Sequence, residues 1–381
     1  MGPRFGLYVH WPYCASKCPY CDFNSHVSAA VDLPRWERAY RAEIARLRAE
    51  TGRRVLDTIF FGGGTPSLMP PDLVGAVIAA ARDAWAPANE IEITLEANPG
   101  SVEAGRFAGF HDAGVNRVSI GLQALDDASL RHLGRVHDAA DGQRAVEIAQ
   151  AVFPRVSIDL IYARQGQDAA SWTRELDTAL AFGTGHLSLY QLTIEPGTVF
   201  AARHARGQLR HLPDEDVAAA MFEITQDRCA SAGRPAYEIS NHAAPGEECR
   251  HNLIYWTGGD WAAVGPGAHG RLTLGTTRVA TEAVRAPGAW LEAVERLGTG
   301  EVPRTTLTDG EIALETLLMG LRLSQGLALD TLPRALRPPV ATIEPLAEQG
   351  LVHLDEATLR ITDAGRLVTD RIIAALAAHL D

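Results

Sequence analysis

Cys14–Asn24, CASKCPYCDFN, comes three residues after a short apolar run, FGLYVH (Phe5–His10), and it decides how the rest of the chain is read. Three of the five cysteines fall in it, spaced C-x3-C-x2-C, on a loop that leaves the first candidate strand. Structural zinc asks for four ligands, often as two pairs of thiols. The other two cysteines, Cys229 and Cys249, are remote in sequence. Three thiolates on one short loop suffice for three irons of a [4Fe-4S] cube, leaving the fourth iron open to a small molecule. Zinc with a remote fourth ligand, and three plain free thiols, stand as the alternatives.

Composition narrows the classes further. The 381 residues are 46% hydrophobic, with a formal charge of −12 and an isoelectric point near 5.6. An acidic chain of this kind offers no broad surface for nucleic acid. Lys17 is the only lysine, a compositional habit rather than a signal. A sparse, odd set of cysteines argues against a disulfide scaffold. No apolar run approaches a membrane span, and the opening MGPRFGLYVHWPYC is too short in apolar residues for a signal peptide. The expectation is a reducing cytoplasm, with peripheral contact at the inner membrane left open.

Outward from the cysteines, apolar runs alternate with amphipathic stretches. After FGLYVH come VLDTIFFGG (Val55–Gly63), EIEITLEANP (Glu90–Pro99), VNRVSIGLQ (Val115–Gln123), RVSIDLIY (Arg155–Tyr162) and HLSLYQL (His186–Leu192). Helical patterns lie between them, among them Leu33–Glu50, Pro71–Ala84 and Ser101–Ala113. Strands separated by helices indicate βα units around a parallel sheet. Six of them, with polar residues after several different strands, predict an α/β fold: an incomplete (β/α)6-type barrel. We divide the chain at 1–210 for this barrel, 211–304 for an extension, and 305–381 for a winged-helix-like unit. In the extension, WAAVGPGAHG (Trp261–Gly270) reads as a loop, four of its ten residues being Gly or Pro. Leu314, Leu317, Leu318, Leu321 and Leu323 have the spacing of a buried helix face.

The three-cysteine motif, preceded by YVHWPY and followed by GGGTP, resembles the radical S-adenosylmethionine (SAM) superfamily. Within it, the whole chain is similar to the heme-chaperone branch related to oxygen-independent coproporphyrinogen III oxidase. That resemblance implies that Cys14, Cys18 and Cys21 hold a [4Fe-4S] cluster and that SAM binds its open iron. It places Tyr8 near the cluster and the sulfonium, and Tyr20 beside the adenine. Gly63, Gly64 and Thr65 of the GGGTP turn would face the methionine amino group, with Glu96 of LEANP near SAM. Gln123 and Arg135 would surround the methionine carboxylate and ribose, Asp159 the ribose hydroxyls, and Ile161 the adenine. The chain departs from the family at Tyr162–Gln167, YARQGQ, where a pattern close to FGLPGQ is usual.

The resemblance also bears on which branch applies. The oxidase has a further cysteine two positions after the third ligand, where this chain has Phe23. Instead it carries HNLIYW, an HNxxYW signature, which implies heme handling through His251, Tyr255 and Trp256. Imidazole can ligate heme iron, and Tyr and Trp offer flat faces with polar edges. The plain alternative has His251 and Asn252 bonding to backbone, with the aromatics in the core. The expected partners are therefore heme and heme-receiving respiratory proteins, membrane-associated ones included, with oxidative decarboxylation of coproporphyrinogen as the competing activity. Nucleic acid is not expected at the winged-helix-like unit. Residues 304–381 hold seven arginines and no lysine against eleven acidic residues, the wrong sign for phosphate binding.

Overall fold

A computed structural model gives the fold over residues 4–28, 30–101 and 104–380. Six strands lie side by side in chain order, each parallel to the next: β1 (Phe5–Trp11), β2 (Val55–Gly63), β3 (Ala86–Ala97), β4 (Arg117–Gln123), β5 (Arg155–Tyr162) and β6 (His186–Gln191). β7 (Asn241–Ala243) pairs antiparallel with β6. Beyond β1 lie β8 (Asp260–Val264), parallel to it, and then antiparallel β9 (His269–Leu274), β10 (Thr277–Glu282) and β11 (Thr305–Thr306). The result is one open sheet with β7 and β11 at its edges, the expected incomplete barrel.

The strands are covered on one face by helices and enclose the barrel interior on the other, so they read as near-continuous apolar runs. Several helices have a local reason to start. Asp32 accepts from Arg35 N ahead of the helix Leu33–Thr51, and Asp138 and Asp168 form capping boxes ahead of Ala139–Val152 and Ala169–Ala181. The first of these helices buries Trp36, Tyr40 and Leu47, and Trp36 stacks on Trp290 at 5.3 Å between centroids. Of the helix expected near Ser101–Ala113, residues 102 and 103 lie outside the described residues, and Ala104–Asp112 is helical.

One expectation is corrected here. Trp261–Gly270 is not a loop: it holds most of β8, a tight turn and the start of β9. Gly265 (φ 106°) and Gly267 (φ 74°) make the turn, where left-handed backbone suits glycine.

The C-terminal unit packs the helices Asp309–Gly320, Val340–Glu348 and Thr369–Ala377 on a small sheet. Its antiparallel strands are β12 (Leu327–Ala328), β13 (Val352–Asp355) and β14 (Thr358–Ile361), in the order β12-β14-β13. It is winged-helix-like and has its own core, including Leu317, Leu321, Ile343, Leu359 and Leu376. Leu323 is buried and Leu318 packs at the core's edge, whereas Leu314, expected with them, is 38% exposed. The unit docks on the barrel through Ser324, which donates from N to Tyr237 O (3.0 Å) and from Oγ to Ala236 O (2.5 Å). Among the described residues no helix is long and apolar enough to cross a membrane.

Candidate functional site

Six parallel strands put six C-terminal ends on one rim, the end of a βα barrel where ligand sites form. A cavity of about 900 Å³ opens there. Its lining includes Cys14, Cys18, Cys21, Tyr20, Gly63, Gly64, Thr65, Glu96, Gln123, Arg135, Asp159 and Ile161. Twelve of the sixteen predicted site residues, spread over residues 14–161, thus meet in one place.

The cysteine loop is held from beneath by the glycine turn. Gly64 N donates to Trp11 O (2.7 Å), Thr65 N to Tyr13 O (2.9 Å) and Cys14 N to His26 O (2.9 Å). A Cβ on Gly64 would stand 2.8 Å from Tyr13 O, so only glycine lets the two backbones approach this closely. His10 bridges Tyr8 OH at Nδ1 (3.0 Å) and Asn24 O at Nε2 (2.9 Å). The carbonyl can only accept, so Nε2 carries the proton and Nδ1 accepts from the tyrosine. Tyr8 itself points into the barrel below the cavity, between His10 and the Phe60 ring.

Arg135 ties the parts together. Nη1 reaches Cys18 Sγ (3.5 Å) and Tyr20 OH (3.4 Å), while Nη2 donates to Asn98 Oδ1 (2.8 Å) and Gly121 O (3.0 Å). Its Nε is buried and has no protein partner, an orphaned donor that a carboxylate ligand would satisfy. Burial pushes the Cys14 and Cys21 thiols up, and each neighbouring thiol adds to the effect. Binding of iron at these thiols therefore releases protons. Among the described residues no three His, Cys, Asp or Glu side chains could hold a single metal ion. A cube asks for less, since each thiolate would meet its own iron at a separate corner.

Two carboxylates face each other on the cavity floor. Glu96 is pushed up to about 8, by burial first and then by Asp159, although Gly63 N–H bonds to it. Asp159 is pushed up to about 6 by burial, against the hydrogen bond it accepts from Ser119 Oγ (2.9 Å). Such a floor suits a ligand with a cationic end. Gln123 has φ 69°, a left-handed value rare outside glycine. The departure at Tyr162–Gln167 still makes a turn: Arg164 is buried, paired with Glu175 (2.6 Å), and donates to the carbonyls of Ile161 and Gln123.

The structure does not bring His251, Tyr255 and Trp256 to this cavity. They sit on the helix Arg250–Trp256, at the level of the register partners Gly6, Thr58 and Glu92. Glu92 is four residues below Glu96 on β3, about 13 Å along a strand. His251 is fully buried, with Nδ1 bonded to Thr58 Oγ1 (2.6 Å), Nε2 to Tyr255 OH (2.6 Å), and its ring stacked on Phe60. Burial pulls its pKa down to about 3. Trp256 Nε1 is buried without a partner. A second cavity, about 1080 Å³, opens at this opposite end, and of the HNLIYW segment only Leu253 lines it.

Reading along the sequence missed several residues of the rim cavity: Asn98, Ser119, Tyr190, and a wall from the C-terminal unit that includes Arg322, Arg366, Leu367 and Arg371. Asn98 sits inside the LEANP motif and could have been found there. The wall has no signal in sequence, because it arrives by domain docking.

Comparison with known proteins agrees with this geometry. Residues 8–177 match the radical SAM superfamily and residues 307–368 the HemN C-terminal domain. The chain is 20% identical to the Escherichia coli coproporphyrinogen III oxidase whose structure it resembles, with TM-score 0.83 over 99% of this chain and 91% of that one. Relatives at 32–40% identity over nearly the whole chain make this a radical SAM protein. Relatives include a mitochondrial radical S-adenosyl methionine domain-containing protein 1 from Bos taurus, 40% identical over 99% of this chain and 88% of its own. The heme chaperone HemW of Mycobacterium tuberculosis is 36% identical over 98% and 95%, and that of Bacillus subtilis 32% over 98% and 99%. The chain belongs to the HemW family.

Proposed function

We propose that this protein is a heme chaperone that carries a [4Fe-4S] cluster on Cys14, Cys18 and Cys21, binds SAM beside it, and hands heme to respiratory proteins, working from the cytoplasm. The observation that carries the reading is the single rim cavity in which three thiols, the glycine turn, Arg135 and the Glu96–Asp159 floor converge. Five free cysteines suit a reducing compartment. The cluster and SAM together supply one-electron and radical chemistry when bound. The chain's own part is to hold and orient: Arg135 presents a free Nε–H, Gly63 and Gly64 open the backbone, Tyr20 and Ile161 form an apolar side, and Glu96 and Asp159 offer carboxylates. Phe23, 59% exposed on the cavity wall, stands where the oxidase branch has a further cysteine, which favours handling over decarboxylation. Anaerobically reconstituted protein given heme and coproporphyrinogen III tests the choice. Stoichiometric heme binding and transfer without decarboxylated product supports the chaperone; product formed together with 5′-deoxyadenosine reverses it. We divide the work as 1–210 for the cluster and SAM, 211–304 for the supporting extension, and 305–381 for the cavity's outer wall.

Because Glu96 is raised to about 8, the apo floor holds a proton through neutral pH. A cationic ligand prefers the ionised floor, so its binding expels that proton and tightens as pH rises through about 8. SAM titrations from mildly acid to mildly alkaline pH are expected to show that rise, flattened in Glu96→Gln. A Glu96→Gln variant with an unchanged pH profile would remove Glu96 from the SAM site.

For the HNxxYW segment we propose a supporting role in heme handling. Iron ligation by His251 would require its ring to leave both Thr58 and Tyr255 and to reach a surface. His251→Ala is expected to leave the heme absorption bands in place and to lower stability by about 1–3 kcal/mol, the cost of unpaired buried partners. Loss of the heme spectrum with stability intact would make His251 the ligand after all.

A further inference from the structure

The cavity wall opposite the strand ends contains a buried cation, Arg366, with one unpaired arm; the carboxylates acting on it are Asp363 and the buried Glu238. Arg366 is 11% exposed and lines the cavity. Its Nη2 donates to Ser324 Oγ (2.6 Å), at the seam where the C-terminal unit meets the barrel. Its Nε faces Asp363 at 3.7 Å, but that carboxylate is fully exposed, and such a pair contributes little. Its Nη1 is buried and has no partner. His242, which feels the charge of Arg366, also has both ring nitrogens buried and unpaired. Native interiors rarely leave such atoms unmatched. Arg371 lines the same wall and makes no ion pair among the described residues, while Arg322 is held by Asp370 (2.6 Å).

Apolar side chains also line the cavity. Leu367 (46% exposed), Tyr190 (44%) and Phe23 (59%) all face the cavity. Glu96 and Asp159 lie on the floor with Arg135, and Arg322, Arg366 and Arg371 on the wall with Asp370, so carboxylates predominate on the floor and cations on the wall. A cavity of about 900 Å³ is near the top of the ~300–1,000 Å³ range for a single small-molecule site. A second ligand above a nucleoside cofactor would extend through the cavity's open mouth. The wall selects the chemistry of that ligand: a broad apolar body with carboxylates at its margin.

We propose that Arg366 is the carboxylate-recognising residue of the C-terminal wall and binds a propionate of heme held in the rim cavity. Nη1 is shielded as the side chain stands, so a carboxylate reaches it once the guanidinium turns on its Ser324 bond toward the cavity that Arg366 lines, and charge-assisted bonds of this kind are the strong ones. The proposal rests on the heme-chaperone reading. It differs from that reading in placing heme at the domain seam, over the cluster and away from His251. The carboxylate could instead be the methionine end of SAM, and the test separates the two.

Heme and its dimethyl ester, which lacks both carboxylates, are titrated against the reconstituted full chain by absorption, alongside SAM. The unaltered protein is expected to bind heme about tenfold or more tightly than the ester. Arg366→Gln should close most of that gap and leave SAM affinity unchanged, with Arg366→Lys in between. Equal binding of heme and ester by the unaltered protein overturns the proposal without relying on any variant. A loss confined to SAM in Arg366→Gln overturns it too, assigning the carboxylate to the cofactor. If the unaltered protein binds neither heme nor ester, the chaperone reading itself falls, an outcome distinct from the other two.

Discussion

Cys18→Ala is expected to reduce reconstituted iron from about four per chain to below one, removing the cluster, while the barrel stays folded. The two parts of this expectation have different causes. Cys18 is half-buried on a loop outside the hydrophobic core, so its removal leaves the sheet and its helices untouched. At the site, however, its Sγ lies 3.5 Å from Arg135 Nη1, so the thiol sits inside the rim cavity and not in the core. With two thiols left, a cube keeps only two protein ligands and hydrolyses readily. SAM affinity should then fall steeply, because the open iron that would chelate the amino acid end is lost along with the cube. Anaerobic iron and sulfide analysis with Mössbauer spectroscopy reads the first effect, and SAM titration the second. An unaltered cluster spectrum in Cys18→Ala would refute the three-thiol assignment. Zinc alone in correctly folded unaltered protein would refute the cluster.

How much of this was legible in the sequence depends on how local each signal is. β2 lies at Val55–Gly63 as read, because a strand buried on both faces writes an unbroken apolar run and a glycine turn ends it. The cysteine loop and GGGTP are local motifs, and parallel strand order alone brings the residues after β3, β4 and β5 to the same rim. Trp261–Gly270 misled because Ala262 and Ala263 carry weak strand preference while the glycines carry strong turn preference. There, pairing with β1 decides the conformation. His251 shows the limit more sharply. Its chemistry permits iron ligation, but whether its nitrogens are free depends on Thr58, which is 193 positions away. Arg366 has no local signal, and only docking of the C-terminal unit brings it to the rim cavity. Short-range pattern thus picked out the residues of the cavity floor, and tertiary contact alone supplied the wall.

Glu92→Ala is expected to destabilise the fold by about 3–5 kcal/mol, the usual cost of leaving a buried charge without its partner. Glu92 is 1% exposed and meets Arg155 Nη1 at 2.5 Å. It also accepts from Arg250 N and His251 N, both at 3.1 Å, and so caps the first turn of the HNxxYW helix. Burial alone would raise its pKa, but Arg117, Arg155 and the two backbone donors together hold it below the usual carboxylate range. Removing it strands Arg117, which is 2% exposed, in the barrel interior and frees the helix N-terminus. Arg155 retains Glu247 at 3.0 Å, which limits the loss on its side. The sign with pH follows from the lowered value: the stabilisation is fully present above the ordinary glutamate range and is lost as pH falls through the folded value. The gap between unaltered protein and variant, read from denaturant midpoints, should therefore be widest near neutral pH and narrow on acidification. Glu92→Gln, which keeps the acceptor oxygen and loses the charge, should fall between them. A gap under about 1 kcal/mol, or one that does not change with acid, would mean that Arg117 and Arg155 find other partners. Because the same carboxylate fixes both the arginines and the helix bearing His251, that helix should loosen in step with the stability loss, exposing His251 to exchange before the cluster loop is affected.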